Sequence, residues 1–239
     1  MTWPLLIFSS LLVLGGAAAP AATVSGRVEL VDSRESRVAK KRDFSGVVVW
    51  LEPEPASPIP QPAKAARMIQ RDKTFIPHVL AVTTGATVEF PNYDPIFHNA
   101  FSNYEGQVFD LGLYPPGTTR SVRFARPGVV RIFCNIHEQM SAVIVVVDTP
   151  WYATTAQDGS FSIHGVPAGE YQLRVFHERA AAAVLQRLSR SIEVTNQPLG
   201  LPIITISESG YLAIPHKNKY GKDYVPAPQD GVLYPAVRK

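Results

Sequence analysis

The sequence holds a single cysteine, Cys134, among 239 residues. One thiol cannot form a disulfide within the chain, so no internal cross-link supports the fold. Helix-period patterns are nearly absent, which argues against a helical protein. Charge of one sign is scarce: the formal net charge is +3 and the sequence pI about 9.0. An excess so small and so dispersed argues against nucleic-acid binding. There is no G-x-S-x-G, no phosphate-loop spacing and no recognisable carboxylate pair, so the chain is expected not to be an enzyme. Beyond the N-terminus no apolar run approaches the ~20 residues that cross a bilayer.

What is present points to an exported, folded chain. Hydrophobic residues make up 46% and charged residues 18%, enough apolar material to bury a core and too much for a disordered chain. An apolar run from Trp3 to Leu14 leads into small residues, and Ala17 to Ala22 offers A-x-A-like cleavage positions. Residues 1–22 are therefore expected to be a cleaved secretory signal, although no Lys or Arg precedes the run, with an uncleaved N-terminal anchor as the alternative. The expected location is periplasmic or secreted. Oxidising compartments favour paired cysteines, so one leftover thiol calls for an explanation: inert burial, pairing with another chain, or metal binding.

Short alternating or apolar segments separated by Gly, Pro, Asn and Asp indicate an all-β protein. Strands are expected at 24–31, 46–52, 78–83, 87–92, 121–125, 129–134, 142–148, 160–165, 171–177, 189–195 and 202–207. The one helical candidate is the alanine-rich run Arg179 to Leu188. The charged stretch 31–43 reads as a long hairpin loop. Residues 53–62 hold five prolines and suggest an extended linker, set at 55–65. The C-terminal segment 208–239 is basic: Lys217, Lys219, Lys222, Arg238 and Lys239 stand against Asp223 and Asp230. It is expected to be a solvated, partly disordered tail, although its tyrosines suggest that some of it packs, with a docking strand or contact to an acidic partner or membrane surface as the alternative.

The chemistry concentrates in CNIHEQM, Cys134 to Met140. Strand-like VVRIF enters this loop and AVIVVV leaves it, so the loop is the turn of a hairpin that brings Cys134, His137 and Met140 together. Thiolate, imidazole and thioether form a soft to borderline set. Two histidines, a cysteine and a weak axial methionine describe a blue-copper site, whereas zinc seldom recruits methionine. A second histidine must come from His78, His98, His164, His177 or His216. His98 is preferred because EFPNYDPIFHNAFS places it just beyond a strand, in a Pro/Asn/Asp turn. Asn99 beside it is a candidate for a hydrogen bond to the loop backbone. Tyr93, Phe97 and Phe101 flank His98, either as core or as an apolar rim for a partner.

Residues 75–147 resemble the cupredoxins, the plastocyanin- and amicyanin-like blue-copper proteins. The likeness is carried by FIPHVLAVTTGATVEFPN, His98-Asn99, PGVVRIFC and C-x-x-H-x-x-M, whose short spacing is similar to that of amicyanin. The resemblance implies one type 1 copper per chain, held by His98, Cys134, His137 and axial Met140. Glu138 stands where amicyanin has proline. The whole chain also resembles periplasmic methylamine-utilisation-type proteins. Its stretch DTPWYATTAQDGSFSIHGVPAGEYQLRVFHE is similar to carboxypeptidase-regulatory or transthyretin-like β-sandwiches. Such modules open with strands like those at Gly26–Val28 and Gly46–Val49.

The expected architecture is thus a cupredoxin Greek-key β-sandwich or barrel, 66–147, inserted into a small Ig-like sandwich formed by 24–54 and 148–207. The expected function is one-electron transfer between redox protein partners. Copper storage or delivery, and an interaction module with structural copper, are the alternatives.

Overall fold

A computed structural model describes residues 21–58, 65–103, 106–213 and 215–224. Most of the expected signal, linker residues 59–64 and tail residues 225–239 lie outside the described residues. The strands in chain order begin with β1 (Ala21–Val31), β2 (Val48–Glu54), β3 (Ala66–Arg67), β4 (Ile69–Arg71), β5 (Thr74–Ile76) and β6 (Val79–Thr83). They continue as β7 (Thr87–Pro91), β8 (Phe101–Ser102), β9 (Phe109–Asp110), β10 (Thr119–Arg123), β11 (Gly128–Phe133) and β12 (Ser141–Val147). The last are β13 (Tyr152–Thr154), β14 (Ser160–Pro167), β15 (Gly169–Phe176), β16 (Arg190–Val194), β17 (Leu199–Gly200) and β18 (Ile204–Ser207). Two short helices, α1 (Ser36–Ala39) and α2 (Ala182–Leu188), complete the described elements. The chain is predominantly β, as its sequence pattern implies.

Period-two alternation builds two cores. Val24, Val28 and Leu30 of β1 point inward with Val49 and Leu51 of β2, Phe161 and Ile163 of β14, and Leu173 and Val175 of β15. One sheet around this core has the order β14-β1-β17, with β18 pairing the second half of β1; the other is β13-β2-β15-β16. Gly159, between β13 and β14, is one place where glycine is required. Its φ is +85°, and a Cβ there would lie 2.1 Å from the Val28 carbonyl oxygen.

The second core gathers Met68, Val88, Phe90, Tyr114, Phe124, Val130, Ile132, Cys134, Met140, Ala142 and Ile144. It takes residues from the sheet β10-β7-β3 and from the sheet β6-β12-β11-β8-β9. β12 explains its own composition. Its even-numbered residues face this core, while Val143, Val145 and Val147 pack with Val48 of β2, flanked by Trp50 and Phe176. A strand covered on both faces reads as a continuous β-branched run, SAVIVVV.

The segment 31–43 is not a hairpin loop. β1 and β2 lie in different sheets, and the stretch crosses between them. Val38 of α1 and Phe44 are buried in the first core and pin the crossing to it. Among the described residues, no helix is long and apolar enough to cross a membrane.

Candidate metal centre

The hairpin β11–β12 ends at the pair Phe133↔Ser141, so the seven residues Cys134 to Met140 form its turn. The turn is closed from within. The Cys134 amide donates to the Met140 carbonyl at 3.1 Å, and the Met140 amide to the His137 carbonyl at 3.1 Å. Cys134 and Met140 are fully buried in the second core, and His137 is half-buried at the end of the sheet.

His98 arrives from a separate turn. The Asn92 side chain shapes it, donating to the carbonyls of Ile96 and Tyr114 and accepting from the Asp94 amide. A bridge to Tyr114 fixes the His98 backbone, with the Tyr114 amide donating to the His98 carbonyl at 2.9 Å. The result places His98, Cys134 and His137 around one point, with their donor atoms all within 4.8 Å of one another. Cys134 Sγ lies 3.9 Å from His98 Nδ1 and 3.7 Å from His137 Nδ1.

Those distances match a bound metal. A metal–sulfur bond of about 2.3 Å and a metal–nitrogen bond of about 2.0 Å, opened by roughly 110–130°, separate sulfur from nitrogen by about 3.5–3.9 Å. Protonation fits as well. His98 Nε2 lies 2.7 Å from Asp94 Oδ2, an acceptor-only carboxylate, so Nε2 carries the proton and Nδ1 turns its lone pair to the sulfur. Asp94 is held in turn by the amides of Asp72 and Lys73, at 2.6 and 2.9 Å. Burial lowers the His98 imidazole against the pull of the Asp94 carboxylate. Burial, with His98 and Lys73 nearby, brings His137 down to about 4. Both rings are therefore neutral near pH 7. Burial pushes the Cys134 thiol up, while backbone N–H groups of Asn99, Ile136, His137 and Asn135 favour its thiolate. A cation would complete that balance.

The cluster His98–Cys134–His137, with Met140 closing the loop, resembles a type 1 copper ligand set. No family pattern and no curated protein matches the chain. Among solved structures it is similar to a purple cupredoxin from Nitrosopumilus maritimus: 23% identity, TM-score 0.32, covering 34% of this chain and 99% of that one. It is also similar to a copper-containing nitrite reductase from Thermus scotoductus: 27% identity, TM-score 0.34, covering 41% of this chain and 27% of the reductase. For amicyanin from Paracoccus versutus the values are 18% identity and TM-score 0.34, over 41% of this chain and 97% of that one.

Asn99 links the two ligand-bearing turns. Its Oδ1 accepts from the Asn135 amide at 2.6 Å, and its Nδ2 donates to Asp110 at 3.3 Å. The other histidines lie outside the cluster. His78 bridges Glu178 and the Ser141 carbonyl, His164 meets Thr23, and His177 meets Glu208. Phe101 is core, whereas Tyr93 and Phe97 are 49% and 42% exposed.

Two contributions escape the sequence reading. Asp94 was legible in principle, because a ligand histidine needs a partner for its second nitrogen and Asp94 lies four residues before His98. The second is the C-terminal segment. As far as Tyr224 it is not a free solvated tail but lies on the ligand loop: His216 stacks on Phe133 with ring centroids 4.1 Å apart, and the Tyr224 hydroxyl donates to the Cys134 carbonyl at 2.7 Å. The rings of His216 and Tyr224 pack at the loop while Lys217 and Asp223 keep their charges in water, 51% and 85% exposed. No periodicity marks such a segment.

Proposed function

We propose that this protein is an exported mononuclear type 1 copper protein that carries single electrons between redox partners, and that it is not an enzyme. One observation carries the reading: a buried cysteine sulfur with two neutral imidazole nitrogens at 3.7 and 3.9 Å, one of them oriented by a buried carboxylate. Cys134, His98 and His137 would hold the metal, with Met140, buried at the end of the same loop, as a weaker fourth ligand. Bound copper would supply a one-electron Cu(II)/Cu(I) couple.

The protein supplies rigidity and exclusion of water. Cys134 and His98 are fully buried, and close packing around them would limit their rearrangement when the metal charge changes. Asp94 keeps the proton of His98 on Nε2, away from the ligand atom. His137, the half-buried ligand, is where the electron would enter and leave, and exposed Tyr93 and Phe97 offer an apolar surface to a protein partner. The segments 24–54 and 148–207 are read as one carboxypeptidase-regulatory-like sandwich carrying the 66–147 cupredoxin unit. The pairing of β1 with β14 and of β2 with β15 supports this division.

The test is to add Cu(II) to the purified protein and record its visible spectrum. An intense thiolate-to-copper band that disappears in Cys134→Ala is expected. No such band, or one that survives the substitution, refutes the reading. Fast electron exchange with a small redox mediator, together with slow copper loss to a chelator, separates a carrier from a delivery protein.

A further inference from the structure

The ligand loop is held from outside as well as from within. In a plain hairpin turn the outward carbonyls of residues 134–140 would face water. Here the Cys134 carbonyl accepts from the Tyr224 hydroxyl at 2.7 Å. The Glu138 carbonyl accepts from His216 Nε2 at 2.6 Å, and Asn135 Oδ1 accepts from the Lys219 amide at 3.0 Å. All three partners come from one ten-residue stretch, Pro215 to Tyr224.

That stretch has a structure of its own. Asn218 Oδ1 accepts from the amides of Tyr220 and Lys222, at 2.9 and 3.1 Å, and the Gly221 amide returns to the Asn218 carbonyl at 2.9 Å. Gly221 takes the positive φ of +72° that the turn needs. Lys217 pairs with Asp223 across its base. The ring of His216 lies over Phe133, the last residue before the loop, and the Tyr224 ring meets His216 edge-on at 5.2 Å.

The same stretch closes a circuit through the histidine-bearing turn. Asn135 donates its amide to Asn99, and Asn99 donates to Asp110 at 3.3 Å. Asp110 accepts the Lys219 ammonium at 2.8 Å, and the Lys219 amide returns to Asn135. The circuit thus includes Asn99, next in sequence to His98, and Asn135, next to Cys134.

We propose that Pro215–Tyr224 is a working part of the metal centre, a clamp that positions Cys134 and His137 by fixing the outer backbone of their loop. The proposal rests on the copper reading above. His216 and Tyr224 act as positioning residues: they touch the loop's carbonyls and donate nothing to the metal. The clamp limits the loop to one arrangement, so the ligands keep their spacing as the metal charge changes and open rarely enough to retain the metal.

The experiment compares the wild-type full chain with Tyr224→Phe and with the double variant His216→Ala/Tyr224→Phe. The first readout needs no metal: amide hydrogen exchange at Cys134, Asn135 and Met140, with Val49 and Leu173 in the other core as internal reference. Removing one such bond should speed local opening about threefold, and removing two about tenfold or more. The second readout is made on Cu(II)-loaded protein, as the position and width of the thiolate band and the rate of copper loss to a chelator. A shifted or broadened band and a parallel rise in copper loss are expected.

Exchange unchanged at the three loop amides overturns the proposal. Faster exchange with an unchanged band and unchanged copper loss overturns it too, because the segment would then be packing alone. A wild-type protein that takes up no copper, yet shows faster loop exchange in the variants, removes the copper reading and the positioning role while the clamp of the loop stands. If the reference amides accelerate as well in the double variant, Tyr224→Phe, which deletes a single hydroxyl, decides the matter.

Discussion

Asp94→Asn is the sharpest probe of the proposed site, because it changes almost no volume and reverses one hydrogen-bonding role. Asp94 is 6% exposed and accepts three bonds, from His98 Nε2 and from the amides of Asp72 and Lys73. Asparagine has one acceptor oxygen and one donor amide. If its oxygen stays with the Asp72 amide, its NH2 group takes the place of Oδ2 and faces both the Lys73 amide and the Nε2 proton of His98. The ring then moves its proton to Nδ1, the atom that faces Cys134. If its oxygen takes the place of Oδ2, it keeps His98 and the Lys73 amide, and the Asp72 amide alone loses its acceptor, at about 1 kcal/mol. In either orientation His98 loses its carboxylate, its Nε2 proton meeting a donor in the first and only a neutral amide oxygen in the second, and loss of such an outer partner typically weakens metal binding about tenfold to a hundredfold. Competition of the Cu(II)-loaded protein against a calibrated chelator measures the change, with urea unfolding of the metal-free protein as the control for stability. Affinity within about twofold of wild type would mean that Asp94 does not set the ligand form of His98.

The remaining predictions concern the frame around the site. Glu208 is buried and accepts from Ser33, His177 and Arg179, and Glu208→Gln removes that carboxylate while Glu178 still pairs with Arg179; a loss of about 1.5–3 kcal/mol in urea unfolding is expected, and under about 1 kcal/mol would show the network to be dispensable. Burial pushes the Glu208 carboxyl up, but bonds from Arg179, Ser33 and His177 outweigh it and bring it down to about 2; burial also lowers His177, against its own hydrogen bond to Glu208. Both folded values lie below the ordinary 4.5 and 6.5, so the stability they confer is complete above pH 6.5 and drains as the pH falls toward about 2. Unfolding titrations of wild type at successive pH values should show that slope, and Glu208→Gln should flatten it. Gly159→Ala forces a Cβ onto the Val28 carbonyl at positive φ and should cost about 2 kcal/mol or more in thermal or urea unfolding; a neutral effect would show that the β13–β14 turn can shift.

Legibility followed the range of the interactions. The long strands were readable because each carries its own alternation, and β12 because burial on both faces leaves a β-branched run. β3, β4, β5, β8, β9, β13 and β17 have two or three residues each, too few to display a period. The turn between β4 and β5 has both Asp72 and Lys73 at positive φ, which nothing in RDKT demands by itself.

The ligand loop was legible because its chemistry is local. Cysteine, histidine and methionine sit within seven residues, and the two flanking strands hold that stretch as a turn whatever lies around it. The residues alone therefore determined the β class, the hairpin and the soft donor set. Tertiary structure decided what surrounds them. It chose Asp94 as the partner of His98, set β1 and β2 in separate sheets, and laid the segment around His216 and Tyr224 on the loop's outer carbonyls. The physical reason is that side-chain pattern specifies which face of an element must be buried, whereas the partner that buries it is selected by contacts between residues far apart in the chain. Tyr224 and Cys134 are separated by 90 positions, and only the folded chain brings them to 2.7 Å.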